Sequence, residues 1–200
     1  MKNYKPIIIV AGEPNSIFFE IYFKAIRSKK FKSPLILIAS LNLIKLQMKK
    51  LNIKKKIRCL NFVKLNKYHL NNNSINLIDI KYNQSKPFEN ISTNSNDYIS
   101  KSFNLALKIL KKKISKKFIN GPISKKHFLN KRYLGITEYL AKKTNTNNFA
   151  MLIYNEKLSV CPITTHLPIK SVSKKISKNK IIKKVLLIDH FYKSFFKKKP

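Results

Sequence analysis

The stretch Ile7-Ile8-Ile9-Val10, followed at once by Ala11-Gly12, constrains the fold of these 200 residues more than any other. Four successive apolar side chains put apolar groups on both faces of a strand. Such a strand is stable only when covered on both sides, as in the parallel sheets of α/β proteins. The glycine after it marks a tight turn at the strand's carboxyl end. The pattern recurs. Pro34 opens the apolar run 35–39, and 117–120 runs into Gly121-Pro122. Helical apolar spacing fills the intervals: 16–27, then 41–51 behind a capping Ser40, then 97–112. Further strands are expected over 57–63 and 75–80, with loops at 71–74 and 82–95 and a short helix over 124–129. Strands over 149–154 and 158–160, joined by a turn at 155–157, precede helices over 169–176 and 180–196. Strands alternating with helices predict an α/β fold with a largely parallel sheet. The character of the chain changes near 130–148. We therefore expect a first α/β domain over 1–132, lacking its C-terminal return, and the start of a second, truncated α/β domain over 133–200.

Composition excludes several classes. No apolar run reaches the roughly 18–20 residues that span a bilayer, so no membrane association is expected. The opening apolar run reads as a first strand, not a signal peptide, because no small-residue cleavage site follows it. Cys59 and Cys161 are too few for a disulfide framework and lack metal-ligand spacing. A cytoplasmic protein is expected. The net charge of +35 raises a basic nucleic-acid-binding module as a rival reading. The excess is mostly lysine, accompanied by abundant Asn and Ile, residues that share AT-rich codons. It is also scattered along the whole chain. Compositional drift explains that better than nucleic-acid binding, and no nucleic-acid partner is expected.

Few residues are equipped for chemistry. Gly12, Gly121 and Gly135 are the only glycines, each at a strand end or turn. Each is compatible with plain turn geometry or with close approach to a ligand. Neither a G-x-G-x-x-G nor a P-loop pattern occurs. There is no G-x-S-x-G, and no close acid pair suggests a two-carboxylate hydrolase. His69, His127 and His190 read as solvated or packing histidines. His166, after the expected strand over 158–160 and before Leu167-Pro168, falls where open α/β sheets bind ligands, at a strand's carboxyl end. Position alone leaves it either a turn residue or a ligand, since a catalytic metal takes about three protein ligands.

Four elements in order carry a family resemblance. Ala11-Gly12-Glu13-Pro14, with Glu20 downstream, resembles the Gly-[Asp/Glu]-Pro opening of 4-hydroxythreonine-4-phosphate dehydrogenases. Asn120-Gly121-Pro122-Ile123-Ser124-Lys125 resembles the family's Thr-[Gly/Ala]-Pro-[Ile/Leu]-x-Lys element. Gly135-Ile136-Thr137-Glu138-Tyr139 resembles its Gly-His-Thr-Glu-[Phe/Tyr] element, and Thr164-Thr165-His166-Leu167-Pro168 matches its Thr-Thr-His-[Leu/Ile]-Pro element outright.

The resemblance implies an isopropylmalate dehydrogenase-like fold of α/β/α domains, working as a homodimer. It implies NAD-dependent oxidation, with decarboxylation, of the phosphorylated small molecule 4-phosphooxy-L-threonine in pyridoxine 5'-phosphate biosynthesis. A divalent metal (Zn, Mg or Co) would act as Lewis acid. It makes His166 a metal ligand and Ile136 and Thr137 substrate contacts, and it places Gly12, Glu13, Gly121 and Lys125 along the site. No acid–base residue is assigned. A sister dehydrogenase acting on threonate or erythronate phosphate is the alternative. Two departures stand out. Position 136 is Ile where the family has His, so it cannot hydrogen-bond. The family chain is also longer, and its later part supplies the other metal histidines. A fragment, inactive alone and with exposed apolar sheet edges, is therefore expected.

Overall fold

The computed structural model describes residues 4–200, which fall into two compact units dividing between Lys131 and Arg132. In the first, five strands make one sheet: β1 (Ile7–Val10), β2 (Leu35–Ala39), β3 (Ile57–Cys59), β4 (Ile75–Asp79) and β5 (Lys117–Asn120). Their order is β3-β4-β2-β1-β5 and every pair is parallel. The registers Ile7 to Leu35 and Ile7 to Lys117 align the amino ends of β2, β1 and the edge strand β5. Their carboxyl ends therefore emerge together at Ala11-Gly12, Ser40 and Gly121.

Three helices cover the sheet: α1 (Phe18–Ser28), α2 (Leu41–Lys50) and α3 (Asn96–Lys111). Side chains alternate across a strand with period two. Ile9, Leu35, Leu37, Ala39, Ile75 and Leu77 share one core with Phe19 and Phe23 of α1 and Leu43, Ile44 and Met48 of α2. The alternate residues Ile8, Val10, Ile36 and Ile38 are equally buried, and α3, burying Ile99, Phe103, Ala106 and Ile109, packs against β1, β2 and β5. Helices on both faces make an α/β/α sandwich and explain why β1 and β2 are apolar without alternation.

Local chemistry sets the helix starts. Ser40 Oγ accepts from the Leu43 N–H at 3.3 Å and itself donates to Tyr82 O at 3.2 Å. The expected strand over 57–63 stops at Cys59. Asn61 Oδ1 accepts from the Val63 N–H at 2.8 Å and starts a 3-10 turn over Phe62–Lys67. The Asx cap competes with the ladder at its edge and wins. The loop 82–95 ends in a 3-10 turn, Thr93–Ser95, that leads into α3, and the short helix after β5 is a single π-helical turn, Lys125–Leu129.

In the second unit α4 (Ile136–Lys143), α5 (Val172–Lys175) and α6 (Lys178–Phe191) form, with a 3-10 turn Ile169–Ser171 before α5 and a π-turn Tyr192–Phe196 after α6. The two strands expected over 149–160 reduce to one antiparallel bridge, Ile153 with Val160. Both residues are more than half exposed. A lone two-stranded ribbon is marginal in water, and among the described residues no third strand flanks it. α6 buries none of its residues, leaving Val185 and Leu186 56% and 62% exposed. Among the described residues no helix is long and apolar enough to cross a membrane.

Candidate functional site

At the carboxyl edge of the first unit's sheet, the turns after β1 and β5 press backbone against backbone. Gly12 has φ +76°, and a Cβ there would stand 2.2 Å from Pro122 O. A Cβ on Gly121 would stand 2.0 Å from Ala11 O. Two hydrogen bonds close the crossing: Gly121 N donates to Val10 O at 2.7 Å, and Glu13 N donates to Pro122 O at 2.8 Å. Here both glycines are required by contact with the opposite backbone, whatever else lies at this edge.

Glu13 is 2% exposed beside this crossing. Its Oε2 accepts from Ser95 Oγ at 2.9 Å and its Oε1 from the Asn15 N–H at 3.4 Å. Burial pushes its carboxyl above the usual range, opposed by the Ser95 hydroxyl, the Asn15 amide and the charge of His127. Around it a polar mesh ties the β1–α1 turn to the 82–95 loop. Gln47 Nε2 donates to Pro14 O at 3.0 Å and Pro87 O at 2.8 Å, while Asn15 Oδ1 accepts from Gln84 Nε2 at 2.9 Å and the Glu89 N–H at 2.8 Å. The π-turn after Gly121 is anchored by Ser124 Oγ, which accepts from the His127 N–H at 3.1 Å, and by Asn96 Nδ2, which donates to His127 O at 3.0 Å. Lys125 opens that turn with its side chain exposed. The structure thus brings Gly12, Glu13 and Gly121 together, with Lys125 four residues on.

In the second unit Gly135 caps α4 with an extended backbone, φ −164°. A Cβ there would lie 3.1 Å from Glu138 Oε2 and 3.6 Å from His166 Nε2. The imidazole and the carboxylate therefore converge over a residue without a side chain. Thr165 Oγ1 donates to Glu138 Oε1 at 3.4 Å, whereas Glu138 Oε2 is buried without a hydrogen-bond partner among the described residues. His166 is exposed and sits at φ 55°, the left-handed region. It lies beyond the Ile153–Val160 bridge in irregular chain, not at the end of a regular strand. Ile136 and Thr137 form the first turn of α4, both partly exposed.

Glu138 is the residue that sequence reasoning missed. Its signal was its membership of the Gly-Ile-Thr-Glu element in a chain with only eight acids. An exposed imidazole beside a carboxylate oxygen lacking a partner suits a divalent cation in donor type. No group of three or more His, Cys, Asp or Glu fit to hold a metal occurs among the described residues. The pair is at most a partial donor set. Neither unit contains a glycine-rich nucleotide fingerprint, so no residue here is assigned to the nicotinamide.

Comparison with known proteins agrees over most of the chain. Residues 30–200 match the family model described as pyridoxal phosphate biosynthetic protein PdxA. A 4-hydroxythreonine-4-phosphate dehydrogenase of Sulfurihydrogenibium sp. (strain YO3AOP1) is 32% identical over 197 residues, 95% of this chain and 58% of that protein. A D-threonate 4-phosphate dehydrogenase of Salmonella typhimurium is 25% identical over 98% of this chain and 61% of its own length. The crystal structure of a 4-hydroxythreonine-4-phosphate dehydrogenase from Klebsiella pneumoniae superposes with a TM-score of 0.80 at 22% identity, covering 94% of this chain and 59% of that one. At that identity the structural likeness establishes the fold alone. The chain thus spans less than two-thirds of the length of each of these proteins.

Proposed function

The chain belongs to the family described as pyridoxal phosphate biosynthetic protein PdxA, and from that premise we propose that it serves the NAD-dependent, divalent-metal-assisted oxidation, with decarboxylation, of 4-phosphooxy-L-threonine. The observation that carries the site is the convergence of His166 Nε2 and Glu138 Oε2 over Gly135. In this reading His166 is one metal ligand, and Glu138, steadied by Thr165, stands beside it. The metal, when bound, supplies Lewis-acid polarisation of the substrate hydroxyl and of the ketone it becomes. Ile136 offers no polar group, so the polar substrate contact from the first turn of α4 falls to Thr137 Oγ1. Gly12, Glu13, Gly121 and Lys125 are proposed as site-lining residues of the first unit, with Glu13 holding the turn and Lys125 presenting a cation to a phosphorylated substrate.

Homodimerisation in the cytoplasm is part of the proposal, and the uncovered apolar residues of α6 support a partner surface. The alternative substrate is a threonate phosphate. The D-threonate 4-phosphate dehydrogenase relative and the isoleucine at position 136 favour keeping it in view.

Two measurements test this. Cobalt(II) titrated into the 200-residue chain is expected to bind, and His166→Ala to weaken it at least about tenfold, roughly the effect of losing one good ligand interaction. Unchanged cobalt affinity refutes the ligand assignment. NAD reduction is then compared with 4-phosphooxy-threonine and threonate phosphate, on this chain and on any longer product of the same reading frame. We expect the 200 residues alone to bind metal without turnover. Preference of the longer product for threonate phosphate would reverse the substrate assignment.

A further inference from the structure

The first unit's share of the site described above lies at the carboxyl ends of its strands. The opposite, amino-end edge holds a separate concavity of about 870 Å³. It is lined by the residues entering β2 and β4 and by the end of α1. That volume lies within the about 300–1,000 Å³ range of small-molecule sites.

Its charge is one-sided. Arg27, Lys29, Lys30, Lys32 and Lys55 line it together with His69, and no Asp or Glu does. None of the five cations takes part in an ion pair among the described residues, where the pairs are Lys24–Glu20, Lys101–Asp97 and Lys193–Asp189. A lysine-rich chain places lysines everywhere, so cations alone carry no argument. What distinguishes this place is that unpaired cations surround a single concave surface, where low-dielectric walls focus their field.

The concavity is also built. Asn72 holds its rim with three hydrogen bonds: Oδ1 accepts from the Leu35 N–H at 2.9 Å, and Nδ2 donates to Phe31 O and Ser33 O, each at 3.0 Å. Asn76 Nδ2 adds bonds to Leu35 O at 3.0 Å and Asn71 O at 2.7 Å. Arg58 donates to His69 O at 2.9 Å on the same loop. The shape is thus fixed before any ligand arrives, which lowers the ordering cost of binding. Three aromatic residues, Tyr4, Tyr22 and Phe31, complete the lining. Tyr22 is buried in the α1 core, while Tyr4 and Phe31 are 42% and 36% exposed.

Unpaired cations suit phosphates, and exposed rings suit a flat base. The dimensions suit one small molecule better than a strand of nucleic acid, which follows an extended groove. We infer that this amino-end concavity binds a nucleoside polyphosphate, at the opposite sheet edge from Gly12, Glu13, Gly121 and Lys125. The cations would take the phosphate chain, and Phe31 and Tyr4 would lie against the base.

Calorimetric titration of the full chain at physiological salt tests this, with ATP as the probe and adenosine, tripolyphosphate and a single-stranded oligonucleotide as comparators. The readout is binding, so it stands or falls independently of turnover. ATP is expected to bind, with adenosine and tripolyphosphate each at least about tenfold weaker, because each lacks one half of the recognition. The variant Lys29→Gln/Lys30→Gln/Lys55→Gln should weaken ATP at least about tenfold. The equally charge-reduced control Lys108→Gln/Lys111→Gln/Lys174→Gln, on exposed lysines outside the cavity, should stay within about twofold. Equal loss in both triple variants shows only diffuse attraction to a basic chain and overturns the inference. So does tripolyphosphate binding as tightly as ATP, or an oligonucleotide that binds more tightly than ATP and is lost in the first variant. Matching circular dichroism melts establish that both variants are folded.

Discussion

Gly12→Ala should be among the most damaging single-methyl additions available to this chain, and its cost can be worked from the contact it creates. The new methyl carbon would stand 2.2 Å from Pro122 O, which is 1.2 Å short of the 3.4 Å at which ordinary contact begins. The obstacle is backbone, held by β5 on one side and by the Glu13 N–H at 2.8 Å on the other. Moving Pro122 O by that much breaks the Glu13 bond, at about 1 kcal/mol. Overpacking adds about 1–3 kcal/mol, and the positive φ of 76° adds about 1–2 kcal/mol for a residue with a Cβ. Together these make about 3–6 kcal/mol, against a typical total stability of about 5–15 kcal/mol. With a urea m-value of about 2–3 kcal/mol/M, the midpoint should fall by about 1–3 M. Gly135→Ala is the matched control. Its Cβ would meet only the ends of two side chains, at 3.1 and 3.6 Å, on an extended backbone, so its cost should stay near about 1 kcal/mol. Urea unfolding of both variants followed by circular dichroism decides the matter. If Gly12→Ala shifts the midpoint no further than Gly135→Ala, the argument from the backbone crossing fails.

Other consequences are open to measurement. Because the folded state raises the Glu13 pKa above the usual 4.5, the folded protein binds more protons than the unfolded chain between that value and the raised one. Stability contributed by this group is therefore full below pH 4.5 and declines as pH rises through that window. Glu13→Gln should remove this part of the slope, so that its stability relative to the parent improves from pH 4 to pH 7; a constant difference would contradict the burial effect. Asn72→Ala removes three hydrogen bonds, two to the chain before β2 and one to its first residue, Leu35, and should cost about 2–3 kcal/mol, with hydrogen exchange rising at Leu35 while Ile38 stays protected. Exchange that rises equally at both would indicate global rather than local loosening.

The sheet was legible because its central strands announce themselves. Leu35–Ala39 is apolar without a break, and its observed bounds coincide with those expected. The edges were harder to read. Whether 60–63 extends β3 depends on a competition between one ladder bond and the Asn61 cap, which pattern alone does not weigh. The segment 149–160 has strand composition but almost no ladder, since strand formation depends on neighbours that composition does not reveal. His166, Gly135 and Glu138 all belong to legible motifs, but the interest of Glu138 comes from a buried oxygen without a hydrogen-bond partner among the described residues, a property of the packed structure that the motif does not display. The burial of Glu13 was hidden for a related reason: carboxylates are rarely buried unless partnered, and its partner Ser95 lies 82 residues away.

The crossing of Gly12 and Gly121 has a mechanical consequence. With the turns after β1 and β5 locked backbone to backbone, neither can swing without the other, and the entries to α1 and to the 125–129 turn are carried along as one rigid corner. Compliance at this edge must reside in the 82–95 segment, whose attachment to that corner runs through the side chains of Gln47, Gln84, Asn15 and Ser95. A ligand arriving at the carboxyl edge would thus meet a stiff floor and a detachable cover. Softening the cover at Gln47 or Gln84 would alter how fast the edge opens while leaving the shape of the floor intact.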